Sequence, residues 1–168
     1  MISPAGGSAL SARALLRRQF DLAHDLLDTA LEGLPAEAIH RHPPGTAAPA
    51  GACYAQIVLC EDLSVNGVLA ARTPLALSSW IGRTGLSELP PLARMTDWRV
   101  WARRVRLDLD ELRPYAQAVY AATDAYLAAL QDDALDSAQG ERPACLLSAL
   151  LLTLAARRGE IACLLASR

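Results

Sequence analysis

The sequence predicts an all-α protein, and more specifically a four-helix bundle with crossover connections. Apolar residues make up 52% of the chain and aromatic residues only 5%, and most of the difference is Ala and Leu, which favour helices. Four long segments repeat their apolar residues with the helical period, and no stretch alternates as strands do. The segments between them are too long for simple hairpins, which favours crossovers.

The first predicted helix runs from Ser11 to about Leu34. One side carries acids and is expected to face water: Asp21, Asp25, Asp28 and Glu32. The opposite side is apolar and is expected to pack: Phe20, Ala23, Leu27, Ala30, Leu31 and Leu34. A loop rich in Pro and Gly follows, with one helical turn expected from Ala36 to Ile39.

The second predicted helix runs from about Gly51 to Ala71, and a long connection from Arg72 to Thr96 follows it. Five helix breakers interrupt this connection: Pro74, Gly82, Gly85, Pro90 and Pro91. We therefore expect only short helical pieces there, around Leu77 to Trp80. A loop of this length typically covers a site or a dimer surface.

Capping residues mark the remaining helices. Asp97 is expected to cap a short turn from Trp98 to Arg104, and Asp108 with Glu111 forms a capping box that opens a helix to about Leu130. Its packing stripe is Tyr115, Val119, Ala122, Tyr126 and Leu130. The last helix is expected from Pro143, a favourable residue for a first turn, to Ala166.

Length and cysteine content indicate a single domain that needs no cross-links. The chain has 168 residues, which fits one domain over residues 1–168 with a sizeable core. Its four cysteines have neither the spacing of a zinc knuckle nor a secretory context: Cys53, Cys60, Cys145 and Cys163. We expect them to be reduced.

Charge and hydropathy exclude nucleic acid and membrane as expected partners. All 16 basic residues are Arg and the formal net charge is -2, so no excess positive field attracts polyanions. The longest apolar stretch, from Ala144 to Ala156, is shorter than the roughly 20 residues of a membrane span. The N-terminal residues lack the features of a secretion signal, and we expect a cytoplasmic protein.

Three polar residues lie where the helical period predicts the core. Gln56 falls on a stripe of small residues on the second helix, and Arg157 falls on the apolar stripe of the last helix, one turn after Thr153. A buried Arg needs an acceptor, and the candidates are Glu160 and Glu61. Either these groups form a structural network, or they line a small-molecule pocket in which Arg157 anchors an anion and Gln56 confers specificity.

No metal site and no cofactor site is predicted. His24 lies on the border between the acidic and apolar sides of the first helix, whereas His40 and His42 lie in a loop. None of the three is four residues from another histidine or from a cysteine. The sequence also lacks a glycine-rich phosphate loop, a nucleophile elbow and the H-E-x-x-H motif.

The last helix predicts a homodimer, because it is apolar on most of its circumference. The predicted core stripe is Leu146, Leu150 and Leu164. A second apolar stripe lies beside it and consists of Leu147, Leu151, Ala155, Ala162 and Leu165. Three neighbouring helices do not easily cover both stripes. The alternative is that the long connection from Arg72 to Thr96 folds over the second one.

Four sequence stretches together resemble the DinB-like superfamily, which includes bacterial metal-dependent thiol S-transferases and mycothiol-dependent isomerase domains. They are L-L-D-T-A-L-E-G-L-P-A-E-A-I at 26–39, A-Q-I-V-L-C-E-D at 55–62, L-D-L-D-E-L-R-P-Y-A-Q-A-V-Y-A-A-T-D-A-Y-L-A-A-L at 107–130 and R-R-G-E-I at 157–161. The resemblance covers most of the chain and implies a DinB-like helical bundle.

The resemblance also implies where the family's metal would lie. Members with a metal have one histidine on the second helix and two, four residues apart, on the last helix. These positions correspond to Gln56, Thr153 and Arg157, so all three histidines are replaced. Arg157 would put a fixed cation at the metal's position, and we expect it to be buried and paired with Glu160 or Glu61.

Two functions follow from this comparison. The preferred interpretation is a metal-free binding or scaffold protein, with the old site either closed by an ion pair or open to a small anion. The alternative is a transferase of a low-molecular-weight thiol of the mycothiol type. It would recruit other ligands, such as His24 with Glu61 or Glu160, or would work without metal by stabilising a thiolate with Arg157. The sequence names neither the ligand nor the reaction.

Overall fold

A computed structural model of the chain describes residues 11–43, 48–91, 98–131, 135 and 141–166. The α-helices in this part are α1 (Ala12–Ala30), α2 (Ala36–His40), α3 (Ala50–Asp62), α4 (Trp98–Arg104), α5 (Leu109–Ala129) and α6 (Glu141–Ala166). An isolated bridge between Leu86 and Leu107 is the only β pairing in the described ranges. The predicted all-α class is confirmed.

The four long helices form a bundle. Helix α1 packs against α5 and α6, and α3 packs against the same two helices, so that α1 and α3 lie on one diagonal. Helices α1 and α5 are antiparallel, since Arg17 near the start of α1 binds Asp124 near the end of α5 at 2.6 Å. At the opposite end, Arg113 donates to the carbonyl of Leu31. The core between the helices is apolar and includes Phe20, Leu27, Tyr54, Tyr115 and Leu147.

The helix ends follow the capping residues closely. The hydroxyl of Ser11 accepts from the amide of Ala14 at the start of α1, and Asp108 caps α5 by accepting from the amide of Asp110. Helix α1 ends at Ala30 instead of Leu34, because the next residues form a turn in which Gly33 has a φ of 69°. The predicted cap Asp97 lies outside the described residues, although α4 itself matches the prediction.

The second predicted helix is not α-helical throughout. At Leu63 the helix widens into a π-helix, Leu63–Leu69. The residue before this change, Asp62, is fully buried, and its carboxylate accepts four hydrogen bonds. The donors are the Asn66 side chain, the Tyr115 hydroxyl and the backbone amides of Leu75 and Ala76. One carboxylate therefore holds the start of the long connection against α3 and α5.

The long connection packs toward α4 and α5. Its short helical piece is a 3-10 turn, Leu75–Leu77, slightly before the predicted position. Gly85 has a φ of 71°, and a Cβ there would lie 2.5 Å from the carbonyl oxygen of Asp108, so only glycine fits this close approach. Trp101 donates to the carbonyl of Glu88 at 2.9 Å. The hydrogen bonds of this connection, over its described residues 72–91, are therefore with α3, α4 and the start of α5 and not with α6.

Helix α6 buries Leu150 as expected, but it is rotated slightly from the predicted orientation. Its buried residues are Leu147, Leu150, Leu154 and Ile161. The assignment of Leu147 to a second, outer stripe is wrong, because this side chain is completely buried. Two members of that stripe, Ala155 and Ala162, are exposed. Among the described residues, no helix is both long and apolar enough to span a bilayer.

Candidate functional site

A buried histidine and a buried carboxylate meet in the centre of the bundle. His24 on α1 places its Nε2 atom 3.0 Å from both carboxylate oxygens of Glu61 on α3. Glu61 is fully buried, and its Oε1 atom also accepts from the hydroxyl of Thr123 at 2.6 Å. The imidazole stacks on the ring of Tyr120 with 3.7 Å between centroids. Hydrogen bonds thus satisfy the carboxylate inside the core.

A second carboxylate extends this polar cluster toward the end of α1. Asp28 accepts from the Tyr54 hydroxyl at 2.8 Å and from the Gln117 amide at 2.7 Å. The Tyr120 hydroxyl lies 3.4 Å from both Asp28 and the Tyr54 hydroxyl. Burial raises the pKa of Tyr54 and Tyr120 far above the ordinary value, and the negative charge of Asp28 adds to this. Both tyrosines therefore serve as hydrogen-bond donors and do not ionise at neutral pH.

The predicted arginine lies at the edge between α6 and α3. Arg157 donates from Nη1 to Oε2 of Glu160 at 2.5 Å, and both side chains are about one third exposed, at 36% and 35%. The expectation of a buried Arg157 is therefore wrong, whereas its expected partner Glu160 is present. Glu61, the other expected partner, is bound to His24. Burial alone would lower the pKa of Arg157, but the hydrogen bond and charge of Glu160 outweigh it and raise the pKa.

The cysteines of α3 lie close to this arginine. Burial raises the pKa of Cys53 to about 11; the charge of Glu160 adds to this rise, while Arg157 opposes it. Burial also raises the pKa of Cys60, again opposed by Arg157. Gln56 lies between the two cysteines on the same side of α3, half buried, and the described part of the chain gives its amide no hydrogen-bond partner. The amide of Gln56 and the partly exposed guanidinium of Arg157 thus lie along the same seam between α3 and α6.

Thr153 does not join this group as predicted. Its side chain is exposed, and its hydroxyl donates to the carbonyl of Ala149 on its own helix at 2.8 Å. The expected inward direction of Thr153 is therefore wrong. Of the six predicted site residues, the structure brings together His24 with Glu61 and Arg157 with Glu160, in two separate places.

The donor groups present do not fit the metal that the family resemblance implies. Gln56, Thr153 and Arg157 supply no imidazole, thiolate or carboxylate, and an arginine repels a dication. No group of three or more His, Cys, Asp or Glu side chains in the described ranges is arranged to hold a metal ion. His40 is also engaged, because Nδ1 donates to Ala36 and Nε2 accepts from the amide of Leu107.

The sequence analysis missed the residues of α5 that complete the buried cluster. Thr123 and Tyr120 lie on the buried side of α5, whose members recur at Leu112, Ala116, Val119, Thr123 and Leu127. The predicted packing stripe contains Ala122 and Tyr126, whereas the buried side contains the residues that follow them, Thr123 and Leu127. A threonine within an apolar stripe of helical spacing indicates that a hydrogen-bond acceptor is buried nearby. This pattern could have identified Thr123 as part of the buried cluster.

An apolar groove of about 590 Å³ lies elsewhere, between α1 and α6. Leucines and alanines dominate its lining, and Arg158 is the one charged residue among the lining residues that the structure describes. It opens to solvent on the side of the bundle away from α3 and α5. The groove is separate from both polar clusters.

Comparisons with known proteins give the family from one match and the fold from another. The profile of the DinB superfamily matches residues 19–155. A solved structure titled "Crystal structure of the conserved protein of locus from Enterococcus faecalis" superimposes with a TM-score of 0.74 at 16% identity. The alignment covers 95% of this chain and 100% of that one. No protein of curated function matches.

Proposed function

Because the chain belongs to the DinB superfamily, we propose that it is a binding or scaffold member whose metal position has been lost and which holds a small anion at Arg157. Gln56, Thr153 and Arg157 stand where the resemblance implies metal-binding histidines. A fixed positive charge at such a position keeps an attraction for anionic ligands without a metal. The proposed role is recognition of a ligand, with no reaction assigned.

One observation carries this proposal: Arg157 is about one third exposed, and its hydrogen bond to Glu160 uses the Nη1 atom alone. A guanidinium group has five N–H donors in a planar fork, so the other donors can bind an anion while Glu160 holds the side chain in place. The amide of Gln56 supports the proposal, because it is half buried on the facing helix and has no hydrogen-bond partner among the described residues.

The geometry favours this role over a thiol transferase that recruits other ligands. The pair His24 and Glu61 would be the replacement ligands, but Nε2 of His24 already contacts both oxygens of Glu61. The raised pKa of Cys53 and Cys60 leaves both thiols protonated at neutral pH, so neither offers a thiolate as a replacement metal ligand.

Calorimetric titration tests the proposal with two probes, inorganic phosphate and reduced glutathione. We expect one of them to bind, and Arg157→Gln to weaken it by about tenfold or more, since a charge-assisted hydrogen bond contributes roughly 1.5 to 3 kcal/mol. Arg158→Gln is the matched control, because this neighbouring arginine is exposed and lines the groove between α1 and α6. It should leave the affinity unchanged.

Three outcomes would reject the proposal. The wild-type protein could bind neither probe, or Arg157→Gln could bind as tightly as wild type. Metal analysis of protein purified without a histidine tag could also find stoichiometric zinc that Gln56→Ala abolishes. That result would show that the protein binds a metal at this position, contrary to the proposal.

A further inference from the structure

The outer side of α6 lacks the charges that a solvent-facing helix normally carries. Six exposed residues follow one another along this side at spacings of four and three: Cys145, Ala149, Leu152, Ala156, Gly159 and Cys163. None is charged, and Leu152 at their centre is 72% exposed. A surface helix with an uncharged outer stripe is typical of a covered face.

Helix α1 continues this apolar surface on the other side of the groove. Leu15, Leu22 and Leu26 are 46%, 58% and 38% exposed and lie at spacings of seven and four on one side of α1. Leu22 and Leu26 also line the groove, opposite Leu151 and Leu152 of α6. The two helices therefore form one continuous face, which we call the α1/α6 face.

We propose that the α1/α6 face binds a second copy of the chain, with α6 packed antiparallel against the partner's α6. The face is self-complementary about a twofold axis through residue 154. Such an axis pairs Cys145 with the partner's Cys163, Ala149 with the partner's Gly159, and Leu152 with the partner's Ala156. The large leucine thus meets an alanine, and residue i contacts j as j contacts i, which a closed dimer requires.

Charges on α1 match the same axis. Arg18 and Asp25 are both exposed and lie on the edge of α1 beside Leu22. An antiparallel partner helix centred between residues 21 and 22 puts Arg18 next to the partner's Asp25, twice in each dimer. The residues that line the groove are centred at 21 on α1 and 153 on α6, so one axis serves both helices. Opposite charges at the rim set the register of such an interface.

The size of the face is also suitable. Residues 145 to 163 of a helix extend about 27 Å, and two adjacent helices are about 20 Å wide, giving a projected area of roughly 500 to 600 Å². Protruding leucines make the accessible area larger than this projection. It therefore approaches the ~800 Å² per partner of a standard stable interface.

Chemical cross-linking distinguishes the proposed arrangement from others. A short bis-maleimide should give a covalent dimer in which peptide mapping finds Cys145 joined to Cys163. Cys145→Ser alone or Cys163→Ser alone should abolish this product, and an equal mixture of the two variants should restore part of it. A parallel pairing would instead join like cysteines and persist in the single variants, which would overturn the proposal.

Sedimentation of Leu152→Arg gives a second test that needs no cysteine. The added charge at the centre of the face should raise the dimer dissociation constant by at least about tenfold. Ile81→Arg is the matched control, because Ile81 is an apolar side chain of similar exposure, 67%, in the long connection. A monomeric wild-type protein at micromolar concentration, or a lipid occupying the groove of a monomer, would overturn the proposal.

Discussion

His24 and Glu61 contact each other across the diagonal of the bundle, with Nε2 3.0 Å from each carboxylate oxygen. They lie on α1 and α3, which otherwise pack mainly against α5 and α6. A polar contact at this depth costs desolvation, and the hydrogen bond from Thr123 offsets part of it. The contact therefore links two helices that little apolar packing joins directly.

We expect removal of either member of this pair to destabilise the fold strongly. Glu61→Leu leaves His24 and Thr123 without their acceptor, and His24→Leu leaves a fully buried carboxylate with one donor. Each change should lower the free energy of unfolding by about 3 to 5 kcal/mol in urea titrations.

The double variant separates pairing from packing. His24→Leu combined with Glu61→Leu removes both polar groups together, so its loss should be clearly smaller than the sum of the single losses. Additive losses would show that the two side chains act independently and that the contact has no energetic weight.

Most of the helices could be predicted from the sequence, because caps and breakers mark their ends locally. Ser11 and Asp108 both cap the helices that they were expected to open. The change to a π-helix at Leu63 could not be predicted, since it depends on Asp62 binding a segment more than ten residues further along. A contact between distant segments has no local sequence pattern.

The main error of the sequence prediction concerned which side of α6 faces the core, and the composition of this helix explains the error. Leucines occur on every side of this helix, so the helical period does not distinguish the buried side from the outer one. A small rotation was enough to move Leu147 into the core and Thr153 to the surface. Arg157 consequently lies at the seam with α3 instead of in the centre of the bundle.

Cys53 should ionise only at high pH. The side chain is 1% exposed, and burial raises its pKa to about 11, so its thiolate fraction rises nearly tenfold per pH unit from pH 8 to pH 10. The difference in thiolate ultraviolet absorbance between the wild-type protein and Cys53→Ser measures this fraction in the folded state, with the denatured protein as the control. A difference that is already at its plateau by pH 10 would contradict the raised pKa.

Asp62→Asn should release the long connection from the bundle. Asn retains one carbonyl oxygen and places donors against the amides of Leu75 or Ala76, so buried hydrogen bonds are lost at about 1 to 3 kcal/mol. Limited proteolysis should then cut within residues 72–91 sooner than in wild type. Glu88→Gln, which breaks an exposed ion pair with Arg104, is the control and should not change the cleavage pattern.

Arg157→Leu should cost far less than the changes at His24 and Glu61. Both Arg157 and Glu160 are about one third exposed, so water can solvate whichever charge is left alone. Exposed or half-exposed pairs contribute about 0 to 1 kcal/mol, whereas a buried arginine would cost about 3 to 5 kcal/mol when its partner is left unpaired. Urea titration distinguishes these values, with Arg158→Leu as the control for a change of charge on the same turn. A loss above about 3 kcal/mol would mean that Arg157 is buried in solution and unable to reach a ligand. A loss near zero leaves a folded variant in which the contribution of Arg157 to anion binding can be measured directly.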